Sequence, residues 1–279
     1  MNGFDELKFN NLISEIVTDF RLKNNVINRI VRDEVFGILE RHCTVIYYPL
    51  DNEDINGFHI KRNVNGSPKH FVYINTANTT ERQIFAAAHE LGHIWNVYEK
   101  AKKEYIDIDE YITSVTSETP EEYISNKFAT QLLIPLDLFK KEMERELESL
   151  NYNGKSITKI NLLRLTIRLM NTFFVGYKAT TKRFLEIGSI TQETYNQIKS
   201  YEDEEDFNET FDSLLKEGDY KRLNNRTKTK NISNLTEIIY DAEKKDCVMI
   251  KTIENLKNEF EINTDSFSKQ TGEVNFKDV

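Results

Sequence analysis

Ile84-Phe85-Ala86-Ala87-Ala88-His89-Glu90-Leu91-Gly92-His93 lies inside a run, residues 81–98, in which Ile84, Ala88, Leu91 and Trp95 recur at helical spacing. Thr80-Glu-Arg-Gln83 opens the run with a capping-box pattern, hydroxyl and amide each satisfying the other's end of the backbone. A four-residue step advances a helix by about one turn, so His89 and His93 leave the same face and offer two ligands to one metal. Glu90, beside them, can reach a solvent molecule on that metal rather than the metal itself, which suits a general base. Gly92 costs a helix interior about 1 kcal/mol relative to alanine, so a packing or functional reason is expected there. The plain alternative is a pair of solvated or core histidines, and in a chain with only five histidines the metal reading is preferred.

A metal so held needs a third protein ligand from another element, with one position left for water. Thr119-Pro-Glu-Glu122 opens a second helix that Pro135 ends, with Ile124, Phe128 and Leu132 as its core face. Glu122 is the candidate ligand, and Asn126, one turn on, can orient a ligating imidazole from behind. The same spacing makes Glu122 the capping-box glutamate of Thr119, and Glu121 competes as its neighbour. Spacing alone favours the cap; only the upstream histidine pair lifts the ligand reading.

Outward from these helices, apolar residues at helical spacing predict two helices over 4–41. Three short strands follow: Cys43-Thr-Val-Ile-Tyr-Tyr-Pro49, Gly57-Phe-His-Ile-Lys61 and His70-Phe-Val-Tyr-Ile-Asn75. The second or the third could hold an extended peptide by backbone pairing. Residues 99–118 read as a polar connecting excursion. Two helical segments over 157–190 hinge near Phe174-Val-Gly-Tyr177, and Tyr201-Glu-Asp-Glu-Glu-Asp206 is an acidic linker before a separate C-terminal module. The polar end around 264–272 is expected to fray. The expected class is α+β, helices flanking a small mixed sheet. Its parts are a catalytic domain over 1–150, a helical region over 151–200 and an appendage over 201–279.

The formal net charge of -9 opposes non-specific attachment to nucleic acid or an anionic membrane. Residues 169–188 nevertheless have the length and central turn of a helix-turn-helix, with Tyr177, Lys178, Thr181, Lys182 and Arg183 near a would-be recognition helix. A helical pair packed beside the core is the preferred reading of that segment. No run approaches the ~18 apolar residues of a membrane span. The two cysteines, Cys43 and Cys247, form neither a disulfide framework nor a thiolate cluster, which fits a cytoplasmic protein.

Ile84-Phe-Ala-Ala-Ala-His-Glu-Leu-Gly-His93 followed by Glu122-Tyr-Ile-Ser-Asn-Lys-Phe-Ala-Thr-Gln-Leu-Leu-Ile-Pro135 resembles the ImmA/IrrE family of metallopeptidases. The resemblance extends from about residue 10 to about residue 190. It departs at Ile124 and Ser125, where many members have glutamate and alanine, and at Ala86 or Ala87, where a threonine is usual. It implies one zinc ion per chain on His89, His93 and Glu122, with Glu122 preferred over Glu121, Asn126 behind them and Glu90 as base. It further implies that the substrate is a helix-turn-helix transcriptional repressor, often encoded nearby on a mobile element or in a stress operon, whose cleavage relieves repression. The rival expectation is a non-catalytic or DNA- or partner-binding regulator on the same fold.

Overall fold

The structure, a computed structural model, describes residues 6–64, 66–152, 154, 157–202, 206–218, 220, 222–245 and 248–262. Cys247, part of the acidic linker (203–205) and the polar end at 264–272 lie outside the described residues.

Helices α1 (Glu6–Lys23) and α2 (Glu34–His42) lead into strands β1 (Thr44–Tyr48), β2 (Gly57–Val64) and β3 (Ser67–Asn75). Alternation explains the burial on β1, where Val45 and Tyr47 turn to the core and their neighbours are less buried, whereas the interior strand β3 is buried continuously from Val72 to Asn75. β3 pairs with β1 in parallel, Thr44 opposite Phe71, and with β2 antiparallel, Gly57 opposite Ile74. β3 is therefore interior and has no edge to offer a peptide, whereas β2 is an outer strand.

Helix α3 (Thr80–Ile94) carries the histidine pair across this sheet. It stops earlier than its apolar spacing predicts, because Asn96 adopts a left-handed conformation (φ 52°) that asparagine tolerates. The residues expected to form a polar excursion instead form α4 (Val97–Glu104) and α5 (Ile108–Val115), whose Val97, Ala101, Ile108 and Ile112 are buried. Their short apolar stripes are diluted by Lys102, Lys103, Asp109 and Glu110, which face outward.

The Thr80–Gln83 capping box does not form. Thr79 is the N-cap residue, the Gln83 amide donates to Asn78 O at 2.7 Å, and Thr80 N–H donates to Asn225 O at 2.8 Å. A distant stretch of backbone supplies the acceptor that the local side chain was expected to provide.

Helix α6 (Pro120–Leu133) packs along α3, and Phe128 beneath it meets Phe20 of α1 edge to face at 5.3 Å. Then come α7 (Leu136–Ser149), α8 (Lys159–Phe173), α9 (Tyr177–Glu186), α10 (Gln192–Tyr201) and α11 (Phe207–Glu217). On α8, Leu165, Leu169 and Phe173 join the main core, and Leu163, Ile167 and Met170 join a second cluster with Tyr201, Phe207, Leu214, Leu215 and Leu223. The would-be recognition residues divide: Arg183 is buried and bonded to Glu186 and Thr130 O, Thr181 is buried, and Lys178 and Lys182 are exposed.

The C-terminal part returns to the sheet. Strand β4 (Asn231–Ile232) pairs antiparallel with β1, Ser233 exchanges hydrogen bonds with Val45, and α12 (Leu235–Lys245) and α13 (Ile250–Glu259) pack on each other.

Phe128 is fully buried between α6 and α1, so Phe128→Ala is expected to lose about 3–5 kcal/mol in denaturant unfolding. A loss under about 1 kcal/mol would contradict this packing.

Candidate metal centre

α3 and α6 meet where both residues are small: a Cβ on Gly92 would stand 3.2 Å from the Cα and Cβ of Ser125. On the other flank, a Cβ on Gly57 would stand 2.8 Å from Tyr73 O and 3.4 Å from the Ala86 Cβ, so β2 also runs close over α3. Three elements thus converge around a cleft of about 720 Å³, lined by β2 and the loop before it, by α3, and by the first turns of α6.

At its floor the structure brings His89, His93 and Glu122 together, with one ligand atom from each lying within 4.8 Å of the others. His89 Nε2 is 3.0 Å from Glu122 Oε2 and 3.0 Å from His93 Nε2; Glu122 Oε1 is 3.4 Å from His93 Nε2. The helix cap and the carboxylate do not compete after all. Thr119 Oγ1 accepts from the backbone N–H of Glu122 at 3.4 Å, which leaves the Glu122 side chain free to face the imidazoles.

The outer nitrogens define the chemistry of this trio. Asn126 Oδ1 lies 2.8 Å from His89 Nδ1, and the Asn126 amide N–H₂ donates to Glu118 Oε2 at 3.0 Å, which fixes the amide's orientation. Glu121 Oε1 lies 3.0 Å from His93 Nδ1. Both Nδ1 atoms face acceptors, the arrangement that suits a proton on Nδ1 and leaves Nε2 to a metal, and both Nε2 atoms turn inward toward the Glu122 carboxylate. A cation among these three groups would satisfy all of them at once. The donor set, two nitrogens and one oxygen, suits zinc with a position to spare.

Glu90 is buried against this cluster, and burial first, then the nearby Glu122 charge, pushes its pKa up to about 8. Burial, and then His93, lowers the pKa of His89. Cys43 is a free thiol held up at about 12 by burial, then by Glu90 and Glu40.

Two neighbours of the cluster, Glu118 and His59, carry no mark in the sequence pattern. Glu118 stands behind Asn126, as Glu121, the rival candidate to Glu122, stands behind His93. His59, on β2, lines the cleft, stacks on His70 at 4.9 Å and lies 6.4 Å from the His93 ring; burial, then His70 and His93, lower its pKa to about 4. Four of the five histidines therefore gather at one place, a concentration that spacing along the chain does not reveal.

Glu90 takes up a proton on folding, because its folded pKa lies above the ordinary carboxyl value of 4.5. The stability this contributes is complete below that value and lost as pH rises through about 8. In chelator-treated protein, Glu90→Gln is accordingly expected to gain in thermal midpoint over the wild type between about pH 5 and about pH 9. A difference that stays constant over that range would contradict the buried position of the carboxyl.

Among known proteins, the family model described as the IrrE N-terminal-like domain, a peptidase domain, matches residues 40–185. No curated protein and no solved structure gives a significant match. The matched region contains His89, Glu90, His93, Glu122 and Asn126, and it spans more than half of the 279 residues. The chain belongs to the ImmA/IrrE family of peptidases.

Proposed function

We propose that the protein is a zinc-dependent endopeptidase that cuts one specific protein. The observation that carries this reading is the pair of inward-facing Nε2 atoms opposed to the Glu122 carboxylate, with Glu90 buried beside them. His89, His93 and Glu122 would hold the ion, Asn126 and Glu121 would keep the two imidazoles in the ligating tautomer, and Glu118 would hold Asn126. When bound, zinc would supply a Lewis acid that polarises the scissile carbonyl and makes water more acidic.

The chain's own residues do the rest. Glu90, an acceptor held in a partly water-excluded cleft, takes the proton from water as its oxygen bonds to the peptide carbon. As the carbon–nitrogen bond breaks, Glu90 returns that proton to the leaving amine. The outer strand β2 runs along the cleft with Gly57, Phe58 and His59 on its wall and can pair with an extended substrate backbone, Phe58 offering an exposed apolar face. No helix among the described residues is long and apolar enough to cross a membrane.

For the substrate we favour a helix-turn-helix transcriptional repressor, on the resemblance of the two motifs alone, with relief of repression as the outcome. A non-catalytic regulator on the same fold would leave Glu90 no reason to be buried beside two histidines.

Zinc is expected at about one per chain, and His93→Ala should remove most of it. Glu122→Gln should weaken zinc more than Glu121→Gln, since the Glu121 carboxylate reaches only the outer nitrogen of His93. Glu90→Gln should retain zinc yet cut a co-expressed repressor about 100-fold to 10,000-fold more slowly. Release of the repressor's target gene by Glu90→Gln without cutting would replace proteolysis by binding, and full zinc in His93→Ala would remove the metal assignment.

A further inference from the structure

Away from the metal cleft, four of the chain's twelve arginines converge on a second cavity of about 520 Å³. They come from four separate elements: Arg32 from the α1–α2 connection, Arg145 from α7, Arg168 from α8 and Arg222 from the segment after α11. In a chain with a net charge of -9, such a gathering of cations is not what random surface placement gives.

Their partners do not exhaust them. Arg145 meets Glu142 at 2.6 Å and Glu146 at 3.1 Å; Arg168 shares Glu146 at 3.3 Å and donates to Ser149 Oγ at 2.6 Å. Among the described residues the one carboxylate that Arg222 pairs with is Asp33, at 3.8 Å. Arg32 donates its Nε–H to Thr172 O at 2.6 Å, and among the described residues it pairs with no carboxylate. Arg32 and Arg222 both lie against the ring of Phe174, at 5.8 and 4.7 Å, so two guanidinium groups share one aromatic ring. Arg32 (φ 47°) and Phe174 (φ 55°) also hold left-handed backbone that bulky residues rarely adopt. In the adjoining cavity, which shares Arg168, the Nε of Arg164 is buried and has no hydrogen-bond partner among the described residues.

Guanidinium forks match the oxygens of phosphate two at a time, and a multiply charged anion would answer Arg32 and Arg222 together. The cavity is of small-molecule size.

The segment that begins at Arg222 also runs to the metal cleft. Leu223 is buried, and Asn225 O accepts from both the N–H and the hydroxyl of Thr80 at the start of α3. Arg226 clamps Glu53 at 2.7 Å, next to Asp54 on the cleft wall, and Thr227 reaches Gln83. We infer that the four-arginine cavity binds a small phosphate-bearing anion, and that through residues 222–228 this ligand steadies the start of α3 and the cleft wall.

The test uses the full-length protein and inorganic pyrophosphate, titrated by calorimetry into wild type, Arg32→Gln, Arg168→Gln, Arg168→Lys and, as a distant control, Arg41→Gln. Saturable binding is expected in wild type and Arg41→Gln, weakened about tenfold or more in Arg32→Gln and Arg168→Gln. Arg168→Lys keeps the charge and loses the fork, so it should bind more weakly than wild type while folding normally. Absence of saturable binding, or equal heats in all five proteins as capture of the metal by pyrophosphate would give, overturns the site. Retention of duplex DNA that these same substitutions abolish, without pyrophosphate binding, would make the cluster a nucleic-acid surface instead. Pyrophosphate should also slow amide hydrogen exchange at Thr80 and Lys228, whose N–H groups tie the segment to the sheet and α3. Unchanged exchange there under saturation overturns the link to the cleft.

Discussion

Where α3 crosses α6, a Cβ on Gly92 would stand 3.2 Å from the backbone and side chain of Ser125, so the two helices approach as they do only because one side chain is missing and the other is small. Glycine in a helix interior costs about 1 kcal/mol, and what that cost obtains is reach. Glu122 sits one turn before Ser125 on the inner side of α6, and at this separation its short side chain spans the gap to both imidazoles. The aromatic contact of Phe128 with Phe20 and the burial of Ile124 and Leu132 hold α6 against the core from below. The same closeness lets Asn126 and Glu121 touch the outer nitrogens of the histidines.

That geometry sets an electrostatic problem that a cation resolves. Asn126, held by Glu118, and Glu121 place acceptors at the outer nitrogens, so the inner nitrogens face the Glu122 carboxylate. Burial of Glu90 adds a further acid that resists ionisation in the cation's absence. A cation among these groups would be favoured by each of them, as in a metal site preorganised at the expense of metal-free stability.

Much of this was legible in the residues before the fold was seen, and for a clear reason. The four-residue step from His89 to His93 is a property of any helix, and the β-branched and aromatic runs at 43–49 and 70–75 become strands, the first buried on alternate residues and the second continuously from Val72. Glu122 is ambiguous in the sequence because Thr-x-x-Glu spacing describes both a cap and a ligand; in the structure the cap uses its backbone N–H while its carboxylate faces the imidazoles. What spacing could not reveal are partners made by the tertiary fold: Asn225 capping α3, β4 extending the sheet, His59 arriving on β2, and Glu118 behind Asn126. The short helices α4 and α5 were hidden for a different reason, since each has too few buried positions to outweigh its charged face.

The tautomers of His89 and His93 are the most direct measure of this account, and imidazole nitrogen NMR of the metal-free protein near neutral pH reads them. Each ring should carry a proton on Nδ1, and added zinc should shift the two Nε2 resonances while the Nδ1 protons stay in place. A proton on Nε2 of either ring, or zinc acting at Nδ1, would contradict it.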